Sequence, residues 1–552
     1  MNTEKQENDK NPGEKENIET GLKTELRYLL VIVLFGCLIN MAMLGSMTLW
    51  DTDEALYAQI AREMTVSGDY ITTQWNGGTW FCHPPLYFWL ESLTAKFFGW
   101  NEFSARFPSA LFGVLLMVLV YYFGKLMVNG RTGFYAALVT GATIQLWVQS
   151  RMALLDMPFL FFLIAAVYLF YYGFMKEDKR YYIGFWLCAG LSVVAKGPVG
   201  FVLPALYAFF LIMIHRRWNE IPKLIFSWGV PLFLITGVSW YWAMSDIYGR
   251  PFMEQVFGYF FFKRIYAPVM NQDGPWYYYI PFFLAGFLPW TAFIPLTFYF
   301  LAKKFSDPRS KFLLCWIVFT FLLFTFAGTK RPNYILFIYP ALSIALGWAL
   351  DSIVSNGKFH KASTYSFVGF SVSVILVIAA FIVAAMKLYP AYFNQYAGNL
   401  TLLAVPLLIG GIFTLILTFK SKKIAFYGIV AMSAISYLVL LSYVPLVESL
   451  KPEPEMSRTI KERMKPGDIL ALRGNYGRQF SVIYYTGQKA LMYHSEDDMV
   501  KGINARPGMY IVMHKDEFKR VTSRVTRPFT VLQEKNGIVL FYTGEAIGQN
   551  IR

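Results

Sequence analysis

Apolar runs of about 20 residues, the length a helix needs to cross a lipid bilayer, recur from residue 27 to residue 445 with only short polar breaks between them. They begin with 27–49, 105–127 and 132–149 and end with 363–387, 402–419 and 424–445, making about thirteen spans in all. In lipid every backbone N–H and C=O must find its partner within the protein, so runs of this kind predict helices. The expected fold is an α-helical polytopic membrane protein. With 56% hydrophobic residues and a mean hydropathy of +0.41, the chain lies outside the range of soluble domains.

The links between runs alternate in charge. One set carries Lys125 and Arg131; Lys176, Lys179 and Arg180; Arg216, Arg217 and Lys223; Lys303, Lys304, Arg309 and Lys311; Lys358 and Lys361; Lys420, Lys422 and Lys423. Short basic loops stay in the cytoplasm. Their complement, at 50–104, 150–156, 196–198, 245–279, 328–333 and 389–399, is then external, and an odd span count places the C-terminus outside as well. This is the pattern of a multi-pass protein of the cytoplasmic (inner) membrane. The net charge of +15 is dispersed among these clusters and forms no stripe of the kind that tracks nucleic acid. Membrane lipids are the expected partners, not nucleic acid. Cys37, Cys188 and Cys315 lie inside apolar runs and only Cys82 in a polar loop, which is no disulfide framework.

Three regions follow. Residues 1–26, polar and mixed in charge, read as a disordered cytoplasmic tail. Residues 27–446 form the transmembrane domain, with the external loop 50–104 as its largest early insertion. From 447 the composition is that of a water-soluble domain of about 100 residues, enough for its own core. There, helical patterns at 454–464, 496–502 and 516–523 alternate with strand-like segments at 468–473, 490–494 and 509–514. Asn536-Gly537 between alternating flanks at 531–543 is a tight-hairpin signature. This predicts a small external α/β domain.

Charge close to hydrocarbon is costly and tends to be functional. The external loops hold Asp51, Asp53, Glu54, Arg62, His83, Asp156, Lys196, Lys263, Arg264, Lys330 and Arg331. Carboxylates in one loop and cations in several others suit an anionic headgroup beside a reacting hydroxyl or phosphate. A carboxylate accepts the proton, while Lys and Arg hold phosphate oxygens. Plainer roles stand beside these. Asp51 and Asp53 precede a helical pattern and fit a helix cap, Asp156 precedes Met157-Pro158 at a helix start, and His83 precedes Pro84, which favours extended chain. Cys82 and His83 point apart on an extended chain, against a zinc site. Trp276 to Tyr279 fit an interfacial aromatic belt.

Asp53-Glu54 followed by Tyr57-Ala58, Ala61-Arg62-Glu63-Met64, Ser67-Gly68-Asp69 and His83-Pro84-Pro85-Leu86 with Trp89 resembles the first external loop of membrane glycosyltransferases of the protein O-mannosyltransferase type. It is especially similar to bacterial relatives such as the aminoarabinose (lipid A) transferases. The resemblance continues through Leu155-Asp156-Met157-Pro158, Ala195-Lys196-Gly197-Pro198, Arg264 ahead of Pro275-Trp276-Tyr277, and Thr329-Lys330-Arg331-Pro332-Asn333-Tyr334. At 447–552 it extends only to size and location. It implies a GT-C fold with surface-lying amphipathic helices and an external site fed by a polyprenyl-phosphate sugar donor. It further implies Asp53 as catalytic base and Asp156 as its assistant. Glu54, Tyr57, His83, Lys196, Arg264, Lys330 and Arg331 are the expected substrate-binding residues. Cys82-His83 departs from the Glu-Lys of the aminoarabinose transferases, so the resemblance implies a lipid-linked sugar without fixing which one.

The implied reaction moves a sugar to a lipid or protein acceptor at the outer face, inverting the anomeric centre by direct displacement. A phosphate leaving group held by cations predicts no cofactor and no essential metal. The competing class, a transporter or flippase of amphiphiles, predicts ionisable groups near the midplane and repeated halves; here the run interiors are nearly free of charge. A membrane-anchored sensor would leave the acid-bearing first loop without a purpose.

Overall fold

Long apolar sequence becomes helix in the structure, a computed structural model that describes residues 12–51, 53–270, 272–357, 359–388, 390–473 and 479–544. Among the described residues five helices are long and apolar enough to cross a membrane: Glu102–Met127, Asp156–Lys176, Pro308–Phe326, Pro332–Ser355 and Lys422–Leu450. A sixth appears if Tyr279–Gly286 and Trp290–Lys303, bent by 103°, count as one broken span. Tyr181–Lys196, Val199–His215 and Ala404–Lys420 are apolar but shorter. The larger number expected from the sequence had counted such runs.

Three expectations are corrected. Residues 12–26 are not a disordered tail but the first turns of the helix Pro12–Met41, which opens on a proline and is rich in Glu, Lys and Leu, all favourable there; residues 1–11 lie outside the described residues. The expected loop at 245–279 is largely helical. Ser239–Met253 breaks at Gly249, where φ is +61°, and continues in wide π-helical turns over Glu254–Lys263. Asp246, Arg250 and Glu254 gave that stretch the polarity of a loop. Residues 390–399, expected as loop, belong to the helix Pro390–Lys420.

The chain divides into two units: residues 1–42, 109–151 and 156–440, and residues 43–108, 152–155 and 441–552. The external loop therefore groups with the C-terminal residues, not with the helices expected to carry it. In the first unit the helix Pro332–Ser355 is 94% buried over its most apolar stretch. Small residues let backbones approach, as in other membrane bundles: a Cβ on Gly133 would meet the Tyr121 carbonyl oxygen at 2.2 Å. Residues 264–272 and 328–330 are joined by backbone bonds, Gly328 N to Ile265 O at 2.9 Å, Thr329 N to Arg264 O at 3.0 Å and Lys330 N to Gln272 O at 2.9 Å.

The second unit pairs two short strands, β1 (Gln74–Trp75) and β2 (Gly78–Thr79), and builds a five-stranded sheet from β3 (Ile469–Arg473), β4 (Ala490–Tyr493), β5 (Met509–His514), β6 (Phe529–Lys535) and β7 (Ile538–Thr543). The order is β4-β3-β5-β7-β6; β3 is parallel to β4 and β5, and β7 antiparallel to β5 and β6. Strand alternation gives two cores. Leu470, Leu472, Tyr510 and Leu540 pack with Met456, Ile460, Val482 and Ile483 on one face, and Ala471, Ile511, Met513 and Phe541 with Met499, Ile503 and Val521 on the other. The β6–β7 turn is Asn536-Gly537, both at positive φ, as a type I′ hairpin requires. The segments read as strands and helices from the sequence coincide with these elements, and the helix Gln479–Thr486 had been missed.

Candidate active site

In the second unit, Asp53 stands at the N-cap position of the helix Glu54–Ser67, yet its side chain makes no capping hydrogen bond. The next residue is committed. Glu54 is 1% exposed and takes Arg106 in bidentate fashion, Nε to Oε1 and Nη2 to Oε2, both at 2.8 Å. The Trp50 N–H reaches Oε2 at 2.9 Å and the Ala153 N–H reaches Oε1 at 2.6 Å. Arg106 gives its other hydrogens to the carbonyls of Leu44, Met47 and Thr48. All five guanidinium donors are thus satisfied. Burial works against the charge of Glu54, but Arg106 and the two backbone N–H groups outweigh it and hold the pKa below its ordinary value. Glu54, expected to bind substrate, instead fixes the backbone on which Asp53 is mounted.

Tyr57 and His83 were also expected to face substrate. They are 4% and 7% exposed and meet edge to face with ring centroids 6.0 Å apart, in a cluster with Trp80, Tyr87 and Phe88. The structure makes them core. Behind them Glu91, on the helix Leu86–Phe98, is 1% exposed, and neither carboxyl oxygen has a hydrogen-bond partner among the described residues. Burial first, and the charge of Glu54 second, push its pKa well above the usual carboxylate range.

In the first unit three expected residues, Asp156, Lys196 and Arg264, gather around Tyr334. Asp156 opens the helix Asp156–Lys176 and Lys196 closes Tyr181–Lys196, each at the end where the helix dipole favours its charge. The Lys196 ammonium bonds Asp156 Oδ1, which also accepts Asn333 Nδ2 at 3.0 Å. Lys196 Nζ further lies 5.5 Å from the Phe159 ring centre and 5.9 Å from that of Tyr334. Arg264 donates Nη1 to the Tyr334 hydroxyl at 3.4 Å and rests its guanidinium 5.1 Å from the Phe260 ring centre. Its Nε is buried with no hydrogen-bond partner among the described residues.

The other two cations differ. Lys330 is 8% exposed and gives Nζ to the carbonyls of Thr325 at 2.6 Å and Ala327 at 3.2 Å, closing the end of the helix Pro308–Phe326; burial lowers its pKa. Expected on phosphate, it serves backbone instead. Arg331 donates its backbone N–H to the Tyr279 hydroxyl at 3.2 Å, and its charge acts on Tyr278. Among the described residues no three His, Cys, Asp or Glu side chains converge as metal ligands would.

Sequence reasoning did not pick out Arg106, Glu91 or Asn333 as site residues. Arg106 had one legible signal: a lone arginine at the head of an apolar run needs a carboxylate partner.

Residues 82–242 match the family model described as dolichyl-phosphate-mannose-protein mannosyltransferase. An uncharacterised protein of Aquifex aeolicus (strain VF5) is 31% identical over 426 residues, 76% of this chain and 79% of that protein. The undecaprenyl phosphate-alpha-4-amino-4-deoxy-L-arabinose arabinosyl transferase of Enterobacter sp. (strain 638) is 26% identical over 386 residues, 66% of this chain and 68% of that protein. The crystal structure of ArnT from Cupriavidus metallidurans bound to undecaprenyl phosphate superposes with a TM-score of 0.81 at 21% identity, covering 94% of this chain and 98% of the other. That likeness is one of fold.

Proposed function

The chain belongs to the GT-C membrane glycosyltransferases of the protein O-mannosyltransferase and aminoarabinose transferase type, and from that premise we propose that it transfers a sugar from undecaprenyl phosphate to lipid A at the outer face of the inner membrane. The donor and acceptor classes follow those of the aminoarabinose transferases it is similar to. The basic, short loops on one side support an external site and an external C-terminal domain at 447–552.

In this reading the acceptor oxygen forms a bond to C1 of the sugar while the C1–O bond to phosphate breaks. The bonding pair leaves with undecaprenyl phosphate, and the anomeric centre inverts. Where the acceptor is a hydroxyl, its proton goes to Asp53; where it is an ionised phosphate, no proton moves and Asp53 orients the acceptor. Arg264, and with it Arg331, receives the negative charge that develops on the leaving phosphate. Asp156 and Asn333 keep Lys196 in place beside Tyr334, so Asp156 acts as a positioning residue.

One observation carries the reading: the Arg264 guanidinium is fixed against Phe260 and Tyr334 while its buried Nε has no protein acceptor among the described residues. An unpaired buried donor on a cation is costly, and a phosphate oxygen would satisfy it. Purified protein given undecaprenyl-phosphate-linked 4-amino-4-deoxy-L-arabinose and lipid A should yield sugar-modified lipid A by mass spectrometry. Asp53→Asn should abolish product while undecaprenyl phosphate still binds. Absence of sugar-modified lipid A from the unaltered protein with this donor and with other undecaprenyl-phosphate-linked sugars sinks the reading.

A further inference from the structure

Asn333 has two polar ends, and the protein uses one of them. Its Nδ2 donates to Asp156 Oδ1 at 3.0 Å, and because a carboxylate only accepts, that contact fixes which way round the amide sits. The carbonyl end then points away from Asp156. Its Oδ1 is buried and has no hydrogen-bond partner among the described residues. A buried acceptor left in that state is costly, and a ligand that brings a hydrogen removes the cost.

Tyr334, the next residue, relates that acceptor to the donor phosphate. Its hydroxyl takes Arg264 Nη1 at 3.4 Å, and its ring centre lies 5.9 Å from Lys196 Nζ, whose partner Asp156 also holds Asn333. The unpartnered Nε of Arg264 and the unpartnered Oδ1 of Asn333 are thus linked through a single tyrosine. On a sugar whose C1 phosphate rests on Arg264, the ring hydroxyl nearest that phosphate is the one on C2. Charge decides between a hydroxyl and an amine as the group that donates. Asp156 is already matched by Lys196 and Arg264 adds a further positive charge, so among these groups no negative charge is left to offset an ammonium. A hydroxyl meets no such penalty.

We propose that the Asn333 carbonyl oxygen accepts the C2 hydroxyl hydrogen of the donor sugar and is the contact by which this chain distinguishes a sugar hydroxylated at C2 from one that lacks that group. The inference rests on the reading of Arg264 as the phosphate holder and adds a sugar contact to it. The same bond favours transfer, because a 2-hydroxyl that donates its hydrogen leaves more electron density on its oxygen as positive charge develops on the ring, as in glycoside cleavage.

Dissociation constants of bare undecaprenyl phosphate, undecaprenyl-phosphate-linked 4-amino-4-deoxy-L-arabinose and the 2-deoxy analogue of that donor are measured on the full-length protein in detergent by isothermal titration calorimetry, with no acceptor present. The unaltered protein should bind the 2-deoxy analogue about tenfold or more weakly than the parent donor. Asn333→Ala should bind parent and analogue within about twofold of each other and bare undecaprenyl phosphate within about threefold of the unaltered protein, which shows that it folds. Equal binding of the two donors by the unaltered protein overturns the inference without recourse to any variant, and is the result expected if water alone satisfies Oδ1. Discrimination kept by Asn333→Ala overturns it too, as does a uniform loss across all three ligands, the mark of a purely structural asparagine. Failure of the transfer reading shows separately, as absence of sugar-modified lipid A from the unaltered protein.

Discussion

Glu54 and Glu91, each 1% exposed, lie close enough for the charge of one to act on the other, and they are driven to opposite protonation states. Arg106 keeps Glu54 ionised; burial and then Glu54 itself raise Glu91. Two carboxyls pushed apart in this way are a familiar arrangement at acid–base sites.

Glu91 makes stability fall with rising pH. Its ordinary pKa of 4.5 is raised well above that value on folding, so the folded protein keeps a proton that the unfolded chain releases. The contribution is fully present below the ordinary value and is lost as pH climbs through the raised one, at up to about 1.4 kcal/mol per pH unit. Thermal unfolding of the purified protein in detergent should show this decline as pH rises above the ordinary carboxylate value. Glu91→Gln, which cannot ionise, should flatten the profile; an unchanged slope would show that another group carries it.

The Arg106 clamp should be a large stability element. Arg106→Ala leaves Glu54 buried without its partner, a change that costs about 3–5 kcal/mol. The paired change Arg106→Met with Glu54→Gln should cost less than Arg106→Ala alone. Both should lower transfer, because the Asp53 backbone is tied to this clamp through Trp50. Unfolding temperature and turnover, measured side by side, check the ordering.

Asp156 and Lys196 should behave as one unit. Their direct contact predicts a coupling of about 2 kcal/mol in a double-mutant cycle of Asp156→Asn and Lys196→Met on kcat/KM. The double variant should then be about thirtyfold more active than the product of the single effects. Independent, additive losses would mean that each acts on substrate alone.

Arg264 and Lys330 should separate by assay. Arg264→Met removes the cation and its unsatisfied Nε donor and should weaken undecaprenyl phosphate binding by about 10–100-fold. Lys330→Met strips two carbonyls of their donor; it should lower the unfolding temperature and leave lipid-phosphate affinity within about threefold. The reverse outcome would exchange their roles.

The site was legible in the sequence only in part, and the reason differs by residue. Asp156 and Lys196 were recognisable because each is a charge at the end of an apolar run. Their pairing was not, since 40 positions separate them and nothing local sets which helices neighbour. Lys330 was read as a free cation because backbone carbonyls carry no residue type; only the fold shows that Thr325 and Ala327 present theirs to it. Glu54 looked like a ligand group because its partner Arg106 sat within an apolar run, and Glu91 gave no signal at all in Tyr87-Phe88-Trp89-Leu90-Glu91. The sheet strands were readable where residue alternation matched the pleat, as in Asp468 to Arg473. The segment 245–279 was misread because glycine, proline and charge at Gly249-Arg250-Pro251 mark a kink as readily as a loop.

Gly328 admits no side chain, for a Cβ there would stand 2.4 Å from the Ala267 nitrogen. Segments 264–272 and 328–330 are therefore a matched pair, as lock plates cut together are. Anyone exchanging either segment between relatives would have to exchange both as a single cassette; replacing one alone would set Gly328 against a backbone it was not cut to fit.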